Sequence, residues 1–143
     1  MPLDPAKRRA YEKADYVVFG APEIVLHIGE RSAALDTLLT EANATSATFI
    51  SSDNPNGELA NEFENQAGRR ALETLLNASY SWLPGEGRDP NAGPDWEGEW
   101  PAEPSALVLD MPIEEAIRIG RVFSQNAIVY VEKGKPPELV VLV

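Results

Sequence analysis

The sequence predicts an α+β protein with a mainly antiparallel sheet and a ferredoxin-like split βαβ core over residues 46–131. Across that core, apolar patterns follow the order strand, helix, strand, strand, helix, strand, which is the split βαβ order. A helix, a β-hairpin and a second helix are predicted before it, in residues 1–45, and a final strand after it, in residues 138–143. With 143 residues, 43% of them hydrophobic, the chain is long enough for one domain and too short for two of ordinary size.

The segment before the core contains two predicted helices around a hairpin. Residues 4–13 are expected to form a short helix, because Pro5 suits a first helical turn. The runs 16–19 and 24–28 are rich in β-forming residues and are separated by glycine and proline, which predicts a hairpin. Apolar residues at helical spacing then predict an amphipathic helix over residues 32–42, namely Ala34, Leu35, Leu38, Leu39 and Ala42.

The first half of the core is predicted as a strand over residues 47–51 followed by a long helix. Two starts are open for this helix. Asn54 with Pro55 would give a cap and first residue, whereas Asn61 with Glu64 three positions later resembles a capping box. The second start is favoured. One stripe of the helix consists of Phe63, Ala67, Ala71 and Leu75.

The second half of the core begins with a weak strand predicted over residues 79–83. Residues 84–104 are interrupted by glycines and prolines and contain two tryptophans, which predicts a long ordered loop. Strands are then predicted at 106–109, 126–131 and 139–143. Between the first two of these strands lies a helix whose apolar face is Ile113, Ala116, Ile117, Gly120 and Phe123.

The predicted topology brings four polar or turn-forming segments to one edge of the sheet. In a split βαβ core the first and fourth strands lie side by side, and both helices cover one face. The ends of the first two strands and the starts of the last two then share an edge. Ligand sites are commonly built from loops on a rigid scaffold, so a site is predicted there. Its segments are residues 51–55, 85–90, 100–105 and 124–126.

The long helix contributes two further candidates, because Asn65 and Arg69 share a stripe with Glu62 and two buried leucines. An arginine at the border of the core can bind a carboxylate or phosphate through two parallel hydrogen bonds. The predicted ligand-binding residues are Asn54, Asn65, Arg69, Ser105, Gln125 and Asn126.

Four of these candidates also have a purely structural interpretation. Asn54 before Pro55 is typical of a turn or a cap. Arg69 would pair with a nearby acid such as Glu62 or Glu73, and Gln125 with Asn126 would satisfy free backbone groups at a helix end.

Composition narrows the classes of partner. The formal charge of −11 disfavours direct binding to nucleic acid and to anionic membranes. The chain has no cysteine and a single histidine, so neither a metal site nor a cofactor is predicted. No apolar leader or membrane span is recognised, and a cytoplasmic location is expected. The expected partner is a small polar molecule or a protein.

Five motifs in order resemble a known family. They are FISSDNP, the Glu64 and Asn65 pair followed by Arg69, GRDP, WPAEPSALVLD and GRVFSQNAIVYV. Together they resemble the bacterial family catalogued as domain of unknown function 3293, over residues 11–132. The resemblance implies no activity, cofactor or substrate. This chain has Asp53 where the family usually has an aromatic residue, and Ser124 where it usually has glycine.

Three functions are compatible with these residues. The favoured one is a non-catalytic binding module for a small polar or anionic ligand or a peptide, because amides recognise more often than they catalyse. The second is a hydrolase or transferase with Glu103 as general acid or base, Ser52 or Ser105 as nucleophile and Arg69 as stabiliser. The third is an acidic regulator that binds a basic protein through residues 86–103.

Overall fold

The computed structural model describes residues 3–90 and 101–143, in which seven strands form one antiparallel sheet. Four helices accompany the sheet in this part of the chain, and the predicted α+β class is confirmed. The elements in chain order are α1 (Pro5–Lys13), β1 (Asp15–Val18), β2 (Ile24–Leu26), α2 (Ala33–Glu41), β3 (Ser46–Ser51), α3 (Glu62–Ser79), β4 (Trp82–Arg88), β5 (Glu103–Leu109), α4 (Ile113–Val122), β6 (Ala127–Glu132) and β7 (Glu138–Val141).

The four core strands do not follow chain order across the sheet. The order across the sheet is β2-β1-β4-β5-β3-β6-β7. Strand β5 therefore lies between β3 and β4, and β3 lies between β5 and β6. The first and fourth core strands pair directly, as predicted, with Phe49 opposite Val129. The N-terminal hairpin extends the sheet next to β4, and β7 extends it next to β6.

Each face of the sheet has its own apolar core. Successive strand residues point to opposite faces, so Phe49 and Ile50 belong to different clusters. The Phe49 cluster contains Leu35 and Leu39 of α2. The Ile50 cluster contains buried residues of both α3 and α4, which agrees with the prediction that these two helices cover the same face.

The predicted loop over residues 84–104 is wrong at both ends, because β4 continues to Arg88 and β5 begins at Glu103. Pro84 is tolerated since pairing between β1 and β4 ends with Val18 opposite Gly85, so the missing N–H falls just beyond that last pair. Gly85 permits close approach of the neighbouring strand. A Cβ built on it would lie 2.2 Å from the carbonyl oxygen of Val17. Gly85 is therefore required by the close contact between β4 and β1, and it does not indicate a loop. The rest of the predicted loop includes residues 91–100, which lie outside the described residues.

Helix α3 begins where the capping box predicts. The side chain of Asn61 accepts a hydrogen bond from the backbone N–H of Glu64 at 2.8 Å, and its amide donates to the Glu64 carboxylate at 3.0 Å. The face directed to the core carries Asn65, Leu72 and Leu76. Phe63, on the other predicted stripe, is 83% exposed.

Candidate functional site

Three of the predicted polar segments meet at one edge of the sheet, here called the rim and defined as residues 51–57, 103–105 and 124–126. Ser51 lies opposite Ser105 in the β3–β5 pairing. The side-chain amide of Gln125 donates to the carbonyl oxygen of Asp53 at 3.0 Å, and the Asn56 N–H donates to the Ser124 carbonyl at 2.7 Å. The rim therefore joins chain segments that are more than 70 residues apart. Residues 85–88 belong to β4 beside it, and Trp100 lies outside the described residues.

Asn54 is the centre of a hydrogen-bond network that connects the rim to α3. Its backbone N–H donates to Asn65 Oδ1 at 2.9 Å. Its Oδ1 accepts from Asn65 Nδ2 at 3.1 Å and from the Ala60 N–H at 3.0 Å. Its Nδ2 donates to Glu103 Oε2 at 3.0 Å. Three predicted site residues are thus held together, with Asn54 and Asn65 both buried.

Arg69 is bound within the protein by two carboxylates. Its guanidinium donates to both oxygens of Asp53, at 2.8 and 2.6 Å, and to Glu62 at 2.9 Å. The Asp53 side chain is 3% exposed and that of Arg69 is 25% exposed. The hydrogen bonds to Asp53 raise the pKa of Arg69. Of the two interpretations of Arg69, the structural one describes these contacts, and its main partner is Asp53 rather than Glu62.

The other predicted site residues are Gln125, Asn126 and Ser105. Their side chains form hydrogen bonds with other parts of the same chain. Gln125 Nε2 also donates to the carbonyl of Phe123 at 3.3 Å, so Gln125 satisfies backbone groups as its structural interpretation expects. Asn126 is 8% exposed, and its Nδ2 donates to the hydroxyl of Tyr11 at 3.4 Å. Ser105 donates its hydroxyl to the carbonyl of Glu103 at 2.9 Å. These contacts fix the donors of the rim in defined directions.

Three of the five non-glycine residues with left-handed backbone in the described chain lie at the rim. Asn54, Asn56 and Ser124 have φ angles of 49°, 63° and 54°, although none of them is glycine. Such conformations are strained for residues with a Cβ, and they persist where surrounding contacts over-determine them. The glycine that the resembling family usually has in place of Ser124 would adopt this conformation without strain. The rim therefore stores strain while it presents polar groups.

Tyr11 of α1 is a rim contact that the sequence analysis missed. Burial raises the pKa of Tyr11, the hydrogen bond from Asn126 opposes this shift, and the charge of Glu103 adds to it. The hydroxyl is therefore protonated at neutral pH. Lys7 of the same helix donates from Nζ to the carbonyl of Gly57 at 3.2 Å. The available signal was the start of the family resemblance at residue 11, before any predicted site residue.

Ser52, a candidate nucleophile, is buried. The residue is 3% exposed, and its hydroxyl has no hydrogen-bond partner among the described residues. It lies against α3, where a Cβ built on Gly68 would be 3.4 Å from Ser52 Oγ. This serine, which directly follows β3, therefore points into the protein against α3.

Other features of the described chain lie apart from the rim. A shallow cavity of about 460 Å³ lies where β3 begins and β6 ends, which is the side of the sheet away from the rim. Its lining residues are Thr45, Ser46, Tyr130, Glu132 and Lys133. Among the described residues, no group of three or more histidine, aspartate or glutamate side chains is arranged to hold a metal ion. No helix within the same residues is long and apolar enough to cross a bilayer.

Gly57→Ala is expected to lower the free energy of unfolding by about 2 kcal/mol, since it combines left-handed strain with crowding. A Cβ on Gly57, whose φ is 70°, would lie 2.4 Å from Asn126 Nδ2. Gly134→Ala is the matched control, because Gly134 has a φ of 85° and its Cβ would meet nothing within 4 Å. The control should lose only about 1 kcal/mol. Urea denaturation measures both losses. Equal losses would show that the side chain of Asn126 moves away from the new methyl group at no cost.

The fold and the rim together define an α+β protein whose polar residues, drawn from distant parts of the chain, converge at one edge of a seven-stranded antiparallel sheet. Residues 50–128 match the family described as "Protein of unknown function (DUF3293)". This match covers more than half of the 143 residues, so the chain belongs to that family, as the resemblance predicted. Comparison with curated proteins and with solved structures finds no match.

Proposed function

We propose that the protein is a non-catalytic binding module for a small polar ligand or a peptide, with the rim as its site. The observation that carries this proposal is the convergence of Asn54, Gln125, Asn126 and Glu103 beside three strained non-glycine residues. Strained backbone clusters at functional sites, and binding sites present a few polar groups in fixed directions. We also propose that the protein acts in the cytoplasm, which its formal charge of −11 suits.

The contacts of Arg69 argue against an anionic ligand, so the proposed ligand is polar and not anionic. An anionic ligand that used this guanidinium would have to displace the buried carboxylate of Asp53 and the side chain of Glu62. Displacing a buried, doubly hydrogen-bonded carboxylate would leave its charge uncompensated. Recognition therefore depends on the rim amides, on the carboxylate of Glu103 and on the hydroxyl of Ser105.

Binding is favoured over catalysis by the state of the hydroxyl groups. Tyr11 has a raised pKa, so it is a hydrogen-bonding group and not a base at neutral pH. Ser52 is buried and inaccessible to a substrate. One observation supports the enzyme alternative, since Glu103 accepts from Asn54 and its charge reaches Tyr11. A positioned carboxylate whose charge acts on a protonated hydroxyl is suited to acid–base chemistry.

Gln125→Ala and Glu103→Gln are each expected to weaken ligand binding by about tenfold, the equivalent of one lost hydrogen bond to a polar partner. Native mass spectrometry of the purified protein would identify a carried ligand, and a thermal-shift screen would measure its affinity in each variant. Matched controls on the exposed side of α3 are Gln66→Ala and Glu73→Gln, which repeat the same chemical changes away from the rim.

Retained affinity in both rim variants would contradict a site at the rim. Glu103→Gln also separates the two candidate functions, because it removes a titratable proton while keeping the shape of the side chain. A binding module retains its remaining affinity and shows no turnover in either form. An enzyme loses turnover of the identified ligand while binding persists.

A further inference from the structure

Helix α1 lies on the rim without contributing to either apolar core. Within the described part of the chain, α1 buries none of its nine residues. Isolated helices shorter than about 12 residues are marginal in water, so α1 depends on its contacts with the body of the protein. The helix is joined directly to β1 through Ala14, whose backbone is extended with φ −64° and ψ 154°. Rotation at Ala14 would move α1 while β1 stays paired with β4.

The polar contacts of α1 fall on two rim positions. Lys7 donates its ammonium to the Gly57 carbonyl at 3.2 Å. The hydroxyl of Tyr11 accepts from Asn126 Nδ2 at 3.4 Å. A third contact, from the Tyr16 hydroxyl to the backbone carbonyl of Tyr11, joins α1 to β1 and must break when α1 rotates at Ala14. The rim thus offers one carbonyl acceptor and one amide donor, which α1 occupies with an amine and a hydroxyl oxygen.

The charges of α1 and the rest of the protein are complementary. Helix α1 contains four basic residues and one acidic residue, a formal charge of +3, whereas the whole chain carries −11. The remaining residues therefore carry −14. A cation approaching the rim after α1 moves away experiences the same attraction that draws α1 onto it, and an anion is repelled.

We infer that α1 is a lid that occupies the rim in place of its ligand, and that the ligand is a cationic amine that also carries a hydroxyl or carbonyl oxygen. This inference rests on the proposed binding site at the rim. The amine of the ligand replaces Lys7 at the Gly57 carbonyl, and its oxygen replaces the Tyr11 hydroxyl at Asn126 Nδ2. The ligand is either a free amine of this kind or the same groups within a basic peptide. Binding and lid closure are mutually exclusive.

The inference is tested in the full chain with the double variant Lys7→Ala/Tyr11→Phe. It removes both contacts of α1 with the rim and leaves the rim residues unchanged. The probe is a synthetic peptide with the sequence of residues 5–13, PAKRRAYEK, and the control peptide carries the same two changes. Arg8→Ala is the matched control variant, since it removes a basic side chain of α1 that makes neither rim contact. Affinities are measured by isothermal titration calorimetry at low and high salt.

The probe peptide is expected to bind the double variant about tenfold more tightly than the wild type, because a closed lid reduces the binding-competent fraction. Arg8→Ala should behave like the wild type, and the control peptide should bind about tenfold more weakly than the probe. Equal binding to wild type and double variant, or equal binding of the two peptides, would overturn the inference. Ethanolamine supplies both groups on a small molecule. Its competition with the peptide indicates a free amine as the source, and its failure to compete indicates a peptide.

Hydrogen exchange tests the lid without any ligand. Amides of α1 in the wild type are expected to exchange faster than those of β3 and β5, and faster still in the double variant, because α1 opens locally. If the amides of α1 exchange as slowly as those of β3 and β5, the inference that α1 is a lid is overturned. If native mass spectrometry finds a neutral or anionic ligand whose binding needs Gln125, the rim site stands and the cationic assignment fails. The two proposals are therefore separable.

Discussion

Arg69→Met is expected to lower the free energy of unfolding by about 3 kcal/mol, the lower end of what is lost when a buried ion pair loses one partner. The lower end applies because the Arg69 side chain is 25% exposed, while that of Asp53 is 3% exposed. The substitution keeps the aliphatic stem and removes both hydrogen bonds to Asp53, at 2.8 and 2.6 Å. The carboxylate is then left buried without its cation. Urea denaturation at neutral pH measures the loss.

Arg70→Met is the matched control for this prediction, because Arg70 is the exposed neighbour of Arg69 on α3. It should change the free energy of unfolding by less than about 0.5 kcal/mol. The double variant Asp53→Leu/Arg69→Met removes both charges and should recover part of the loss, since no unpaired carboxylate remains. A single-variant loss no larger than that of Arg70→Met would mean that the pair is without consequence for stability.

Gly85→Ala is expected to lower the free energy of unfolding by about 3 kcal/mol, at the upper end for inserting a methyl group into close-packed surroundings. The new Cβ would lie 2.2 Å from the carbonyl oxygen of Val17 and 3.2 Å from the ring of Phe49. The first of these atoms is backbone and cannot rotate away, so β1 must move from β4. Amide exchange in β1 and β2 should accelerate along with the loss of stability.

Gly87→Ala is the matched control two residues along the same strand. A Cβ at Gly87 would be on the same face of the sheet as one at Gly85, and it would meet nothing within 4 Å. A change within about 0.5 kcal/mol of zero is expected, because the added methyl group meets no neighbouring atom and alanine in a strand is no worse than glycine. Similar losses for the two variants would show that a general glycine requirement in β4, rather than the Val17 contact, determines the effect.

Local signals accounted for the order of the elements. The capping box of Asn61 and Glu64 acts over three residues, and its hydrogen bonds are present as predicted. Periodic apolar residues gave the helices, and their order with the strands predicted that β3 and β6 pair. From that pairing it followed that Asn54 and Gln125 lie at the same edge. The bond from Gln125 to the Asp53 carbonyl confirms this proximity.

Contacts distant in the sequence could not be predicted in the same way. Pro84 and Gly85 read as turn residues, yet they lie in a strand because β1 pairs there, nearly 70 residues earlier in the chain. Arg69 pairs with Glu62 of its own helix, as its structural interpretation expects, and only the tertiary fold adds the buried carboxylate of Asp53. Tyr11 reaches Asn126 across 115 residues, a distance over which no local pattern gives information.

The sequence by itself determined the α+β class, the order of helices and strands, the family and the edge at which the polar segments gather, because short-range periodicity and caps encode these features. Only the tertiary structure decided that Asp53 neutralises Arg69, that Ser52 is buried and that α1 covers the rim. These depend on which side chains meet after the chain has crossed the sheet. Such meetings follow from packing in three dimensions, on which neighbouring residues in the chain carry no information.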